Sequence, residues 1–597
     1  MITRSEFYVL RLRSEHPEYS QRELSQCGGM SLGSVNKTIG ELQLKGLLDS
    51  SGAITASGMS SLKPFKVDNA VILAAGLSSR FVPFSYESPK GLLRAKGEVL
   101  IERQIRQLRS VGITDIAVVV GFMAEQFFYL EDKYGVEIIV NADYARKNNS
   151  SSIYAARHKL ANTYICSSDN YFTENPFEQY VYHSYYAASY VEGQTDEWCI
   201  ETKGKHRLIT GVTVGGHDSW VMLGHVYWSR SFSNSFKAII EAEIDSPDTA
   251  SKLWEEIYIE HIKELPMVMR PYSKGFIYEF DSVDDMRSFD PQFITNVSSD
   301  ILDNIVSVLH CERDALTDFY PLKTGITNLS VHFTAEGNEY VYRHPGIGTE
   351  RMINRENEVH ALKLAKKLGL DSTFIYADSY QGWKISHFLP NARTVDPRDP
   401  DQLADALAMA KTLHASAAVL DNEFDFVDAG LEYEKVFESF NAPKPQGYED
   451  LKASVLKLRE QVRHEEWRTC ICHNDFFEHN ILVDPDGKMS LIDWEYAGMG
   501  DEANDFGTFC VCSKFREEEI DEALRVYLGR EPSGSERRHY WAFVVFAGWA
   551  WYVWALAKEA QGDNTGEWLY VYYTYPHRYA ERVLALYQRN TEPTSER

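Results

Sequence analysis

The sequence predicts a multi-domain α/β protein, and three observations carry that expectation. At 597 residues the chain exceeds what one hydrophobic core serves and suits three domains. From residue 70 onward, buried-strand runs alternate with amphipathic helix patterns: AVILAAG, a helix from about Leu100 to Val111, DIAVVVG, another helix, then VEIIVN. That alternation predicts a doubly wound, mostly parallel sheet. Far downstream, HNDFFEHNILVDPDGKMSLIDWEY (His473 to Tyr496) sets polar residues around a strand-like hairpin, apart from that alternation. Boundaries are expected at 1–64, 65–298 and 299–597.

Residues 1–64 read as a small helical unit. Val35, Ile39 and Leu42 make one apolar face, Ser31 can cap the start of that helix, and Gly46 suits its end. Short strands about Ser50 to Gly52 would form a wing. The pattern resembles winged helix-turn-helix domains of multiple-antibiotic-resistance-type regulators, which implies DNA as a partner. Phosphate contacts come mainly from Lys and Arg. Up to Leu62 the chain carries six bases (Arg4, Arg11, Arg13, Arg22, Lys37, Lys45) against six acids (Glu6, Glu15, Glu18, Glu23, Glu41, Asp49). With Lys37 and Asn36 alone on its presented helix, this unit is poorly furnished for DNA. Dimerisation or docking, and with it a homo-oligomer, is the stronger expectation.

In the second unit, AVILAAGLSSRFVPFSYESPKGLL (Ala70 to Leu93) runs from a buried strand into a Gly and Ser loop. Backbone N–H groups at Ala75, Gly76, Ser78 and Ser79 can approach a triphosphate there, with Arg80 and Lys90 neutralising its charge. Ligands of such sheets sit at the carboxyl ends of strands. Asp169, in TYICSSDNYF, and Asp281, in GFIYEFDS, stand at two such ends and suit a metal clamp; Glu279 is a weaker candidate. The array AAG, SSR and PK resembles nucleotidyltransferases. With KNNSSSIYAAR, SSDNYF and YEFDS, it is most similar to the CTP:phosphocholine cytidylyltransferases. That resemblance implies CTP, Mg2+ and phosphocholine as partners, with sugar-1-phosphate enzymes as competitors. Trp198, Tyr227 and Trp228 are candidates for a cage around a trimethylammonium group.

In the third unit, Asp475 and Asn480 enclose four residues, and Asp493 follows the hairpin. Protein kinases place a base, a metal-holding Asn and a second metal-holding Asp in this order. Asn474 and Trp494 depart from the kinase pattern, and HNDF…N with IDWEY resembles the choline and ethanolamine kinase family. The resemblance implies a protein-kinase-like α+β unit, ATP and Mg2+, a nucleotide loop in PLKTGITNLSVHF (Gly325, Thr327, Asn328), a phosphate-contacting Arg343 and its partner Glu358. It also implies substrate contacts from Trp494, Glu495, Trp551 and Trp554. The last two lie three apart in YWAFVVFAGWAWYVWALAKE and so share a helical face. Tyr540 to Ala557 carries no charge, yet its Trp and Tyr residues crowd the middle instead of the two interfaces, so a core helix is expected over a membrane span.

Composition sets the limits. A net charge of −26 disfavours nucleic acid or anionic membrane as a general partner and leaves nucleotides to local cationic sites. The eight cysteines include Cys470/Cys472 and Cys510/Cys512, C-x-C pairs read as strand neighbours and as reduced core thiols of a cytoplasmic protein. No secretory signal is apparent at the N-terminus. The expectation is a bifunctional enzyme: ATP phosphorylates choline in the third unit, and CTP activates phosphocholine in the second. Ethanolamine or another amino alcohol is the alternative acceptor, and a DNA-binding sensor of choline metabolites is the alternative of another class.

Overall fold

The computed structural model describes residues 2–322, 328–345 and 354–589. Two compact units divide between Asn304 and Ile305, inside the helix Asp300–Leu309. The expected first and second domains share the first unit.

The core of that unit is a seven-stranded sheet in the order Val268–Tyr272, Tyr185–Lys203, Leu208–Trp228, Thr163–Ser167, Asn69–Ala74, Ile116–Val120, Glu137–Val140. The last four strands are parallel. Both faces of the strand Asn69–Ala74 are buried, and its residues alternate between two cores. Ala70 and Ile72 join Ile101, Ile105 and Leu108 on one side, while Val71 joins Ile153 and Phe236 on the other. The chain leaves Asn69–Ala74 toward Ile116–Val120 and later returns to its other flank at Thr163–Ser167. This reversal opens a crevice at the carboxyl ends of these strands.

The rest of the sheet departs from the mostly parallel expectation. Tyr185–Lys203 and Leu208–Trp228 form a long antiparallel hairpin that curls on itself, so that Cys199 pairs with both Thr213 and Val221. Its far end meets Val268 through Leu208. The curl depends on bulges along the hairpin, which no period-2 pattern encodes.

The winged-helix part contains the helices Arg4–Glu15, Gln21–Cys27, Leu32–Leu44 and Ala56–Leu62. Ser31 caps the third helix as expected, with its hydroxyl accepting from Ser34 N–H. The wing is reduced to one bridge, Leu48 to Ile54, because Asp49 folds residues 49–53 into a turn by accepting from Ser51 and Ala53 N–H. The first helix docks on the larger part of this unit. Phe7 packs against Phe65 and Tyr182 at 5.1 and 5.2 Å. Arg11 and Arg270 both donate to Glu178, at 2.6 and 2.8 Å. Burial opposes the Glu178 charge, but the two guanidiniums outweigh it and hold the carboxyl down to about 2.

Glu178→Ala takes this anion from the buried Arg11, which keeps Glu15 at 3.8 Å, and from the half-buried Arg270, and is expected to cost about 1–3 kcal/mol. Thermal unfolding measures this, and faster proteolysis between Leu62 and Val67 would place the loss at the docking surface. Since the folded pKa is depressed, the contribution is complete above the unfolded value, about 4.3. It disappears as pH falls toward 2.

In the second unit, a five-stranded antiparallel sheet takes the order Leu316–Pro321, Asn328–Ala335, Asn338–Pro345, Lys384–His387, Phe374–Ala377. The helix Arg355–Leu368 follows the third of these in sequence, with Asn354 as its cap. A mostly helical body carries the hairpin Ile481–Val483/Met489–Leu491 and the strand pair Thr469–Cys472/Gly498–Asp501. Among the described residues, the helix Gly534–Gln561 alone is long and apolar enough to cross a membrane, and 94% of its apolar window is buried inside the protein. The helix Phe426–Ser439 crosses it so closely that a Cβ on Gly430 would lie 2.2 Å from the Trp549 ring. Cys470 and Cys472 share a strand as expected, whereas Cys510 and Cys512 lie in the helix Ala503–Cys512. There the flanking Phe506, Phe509 and Val511 pack as one fully buried helix.

Candidate active sites

A cleft of about 500 Å³ opens at the reversal point of the first unit. Ala75, Gly76 and Ser78 line one wall, Lys90 and Asp169 another, and Asn148 and Ser152 a third. Ser78 takes a left-handed conformation (φ 50°) that turns the loop into the short helix Ser79–Phe81. Lys90, only 8% exposed, donates to Asp169 Oδ2 at 2.7 Å. Asp169 Oδ1 is buried without a partner. Glu279, exposed at the end of its strand, accepts from Gly224 N–H at 3.2 Å, and partial removal from water, then the charges of Asp169 and Asp281, raise its carboxyl pKa. The orphaned Asp169 oxygen is the kind of hard donor that Mg2+ takes. Arg80 is exposed and donates to Asp281 Oδ1 at 2.9 Å instead of lining the cleft.

The cage expected here does not form. Tyr227 and Trp228 are fully buried, because their strand pairs with Thr163–Ser167 and both of its faces are covered by core. Tyr227 packs at 5.4 Å from Tyr164, and Trp228 at 4.6 Å from Phe236. Trp198 sits opposite Val214 in the hairpin and is absent from the cleft lining. A different group lies near the cleft. Glu255 accepts from Asn149 Nδ2 at 3.1 Å and from the Tyr186 hydroxyl at 3.4 Å, and Trp254 stacks on Tyr186 at 5.8 Å. Burial pushes Glu255 up to about 7. Sequence reading missed it because Asn149 and Trp254, joined by a 2.7 Å bond from the Trp254 N–H to Asn149 Oδ1, are distant in the chain.

In the second unit, the loop after Thr469–Cys472 presents Asp475. Asn480 Nδ2 donates to both the Asp475 carbonyl and its Oδ2, each at 2.8 Å. Burial, then Asp493, raises the Asp475 carboxyl well above the usual range. Asp493 is left-handed (φ 68°) and faces Arg343 at 3.4 Å. Arg343 in turn pairs with Glu358 at 2.5 Å. The strand cation, helix acid and hairpin acid expected from their order are therefore in one place. Asn474, the departure from the kinase pattern, secures the loop: its Nδ2 donates to the Tyr496 carbonyl and its Oδ1 accepts from Asn504.

Two residues expected at substrate are placed otherwise. Trp494 is fully buried, its indole N–H donating to the Leu491 carbonyl at 2.9 Å. Glu495 is buried beside Arg343 and Arg355, at 3.9 and 4.0 Å. The helix Gly534–Gln561 brings Trp551 to 5.5 Å from Tyr496, 6.0 Å from Trp554 and 6.5 Å from Tyr572. Burial, and to a lesser degree the Asp475 charge, raise the pKa of the Tyr496 and Tyr572 hydroxyls. Gly325 and Thr327 lie outside the described residues, and Asn328 opens the strand Asn328–Ala335.

Lys384, which sequence reading overlooked, lies opposite Arg343 in the strand register. Burial, then Arg343, lowers its pKa, while Asp493, Glu358 and Asp371 partly restore it. Nothing local marks it, since only strand pairing brings it beside Arg343.

Comparison with known proteins finds matches for all three parts of the chain. Residues 318–541 match the phosphotransferase enzyme family, residues 70–207 the MobA-like NTP transferase domain, and residues 2–53 the MarR family. A choline-phosphate cytidylyltransferase of Streptococcus pneumoniae is 34% identical over 221 residues, 37% of this chain and 96% of that protein. The chain belongs to the choline-phosphate cytidylyltransferase family. A second relative, a 2-aminoethylphosphonate cytidylyltransferase of Lancefieldella rimae, is 32% identical over 38% of this chain and 93% of its own length. Protein LicA of Haemophilus influenzae is 25% identical over 256 residues, 41% of this chain and 94% of that protein. This member of the family thus joins a nucleotidyltransferase domain to a phosphotransferase domain and a MarR-like N-terminus.

Proposed function

We propose that the second unit phosphorylates choline with ATP and that the first couples the resulting phosphocholine to CTP. The observation that carries this reading is that Trp551 gathers Tyr496, Trp554 and Tyr572 around it, on the same unit as Asp475. A quaternary ammonium offers no hydrogen bond, and aromatic faces are what bind it. With the cation held there, the hydroxyl reaches Asp475, which takes its proton as the oxygen attacks the γ-phosphorus and the bond to ADP breaks. Arg343, held by Glu358, faces the phosphates. In the first unit, a phosphate oxygen of phosphocholine attacks the α-phosphorus of CTP and pyrophosphate leaves. Lys90 and the loop N–H groups of Ala75 to Ser78 neutralise the charge that develops.

Asn480 and Asp493 would hold Mg2+ in the second unit, and Asp169 and Asp281 in the first, with Glu279 close by. When bound, the ion draws negative charge from the phosphate oxygens. The use of ATP and CTP suits a cytoplasmic enzyme. The MarR-like part serves docking: its first helix is committed to Glu178 and Tyr182, while Lys45 is paired with Glu6 at 2.5 Å and Lys37 with Glu41 at 3.8 Å.

Phosphorus NMR on the whole chain with Mg2+, ATP and choline, followed by CTP, tests the order. Phosphocholine should appear first, then CDP-choline and pyrophosphate. Turnover of ethanolamine or 2-aminoethylphosphonate with silence toward choline and phosphocholine would replace the acceptor and keep the chemistry. Trp551→Ala is expected to raise KM for choline about 30-fold, from the loss of about 2 kcal/mol of desolvated cation–π contact. KM for ATP should change little.

A further inference from the structure

Behind the phosphotransferase loop, away from any substrate role assigned above, three buried side chains converge. Cys470 and Cys472 point to one face of the strand Thr469–Cys472 with their sulfurs 3.9 Å apart. His414 closes the group, and the donor atoms of all three residues lie within 4.8 Å of one another. We propose that Cys470, Cys472 and His414 form a binding site for a soft divalent cation, Zn2+ being the natural candidate, which fastens the catalytic loop to the helix Pro400–His414.

The spacing suits the ion. Zinc–thiolate bonds of about 2.3 Å at a tetrahedral angle put two sulfurs about 3.8 Å apart. Residues at i and i+2 of a strand share a face, so C-x-C delivers both thiols without distorting the backbone. The imidazole is held from both sides. Asp505 Oδ2 lies 2.8 Å from its Nε2 and the Tyr527 hydroxyl 2.7 Å from its Nδ1. An ion takes one of these nitrogens, and the hydrogen bond on the other holds the ring, the usual carboxylate or hydroxyl support behind a metal-binding histidine. Binding replaces two thiol protons, which leave to solvent, and consumes one hydrogen bond of His414.

The consequence is structural. Asp505 also accepts from the backbone N–H groups of His473 and Asn474, at 3.0 and 2.6 Å. The site therefore sits at the root of the loop whose third residue is Asp475. An ion there ties the strand, the helix end and the Asp505 carboxylate into one block and stiffens the loop from behind.

The test is the metal content of the whole chain, expressed in zinc-supplemented medium and dialysed. About one zinc per chain is expected, lost in both Cys470→Ser and Cys472→Ser. Growth with cobalt should give a thiolate-to-cobalt charge-transfer band in the wild type, which reports ligation even if the serine variants fold poorly. Less than a tenth of an equivalent of zinc together with no such band would overturn the proposal. So would a zinc content and band that survive in a folded Cys470→Ser/Cys472→Ser double variant.

Discussion

Asp475→Asn is expected to lower choline phosphorylation by about 10²–10⁴-fold, the range of a positioned general base, while cytidylyl transfer from supplied phosphocholine stays within a factor of about two. The substitution keeps the size and the contact with Asn480 but removes the proton acceptor. Its pH dependence is equally specific. Burial and the Asp493 charge raise the Asp475 pKa, and a base works only when deprotonated. The acid limb of kcat/KM for choline should therefore lie above the ordinary Asp value of about 3.9, with activity falling as pH drops through it. A variant that keeps more than about a tenth of the rate would remove Asp475 from the role of base.

Asp169→Asn should do the reverse, cutting cytidylyl transfer about 10²–10³-fold, the cost of removing one electrostatic element from a preorganised site. It takes away the anion that fixes Lys90 at 2.7 Å and the carboxylate with the orphaned oxygen. The expected signature is a weaker apparent affinity for Mg2+ together with a lower kcat, with phosphorylation of choline unchanged. Separate loss of the two activities in the two variants would show two independent centres. Loss of both in either variant would mean that the units fail to fold separately or that the chemistry is misassigned.

The part of these centres that is continuous in the chain was legible in advance. Asp475, Asn480 and Asp493 sit on one loop and one hairpin, so their spacing carries their geometry. Arg343 and Glu358 were legible from the order strand then helix, which the structure closes to 2.5 Å. Of the aromatic residues, Trp551 and Trp554 were named from their spacing and the family resemblance, whereas Tyr572 gave no signal. In a chain with 13% aromatics, composition alone does not distinguish Trp551, which faces Tyr496, from Trp549, which fills the core against Gly430. Tyr227 and Trp228 failed as cage residues for the same reason: alternation along a strand says which side a ring points to, and both sides of that strand are covered. Glu255 and Lys384 gave no signal, because each acquires its environment from a partner elsewhere in the chain.

The sequence by itself determined the three kinds of domain, the buried parallel strands and the catalytic loops, since hydrogen-bond periodicity and turn chemistry are written in near neighbours. Tertiary structure alone decided the curl of the long hairpin, the Arg11–Glu178–Arg270 dock and the convergence of His414 on Cys470 and Cys472. Those features join residues far apart in the chain, and such contacts exist only once the chain has closed the intervening loops and removed the groups from water.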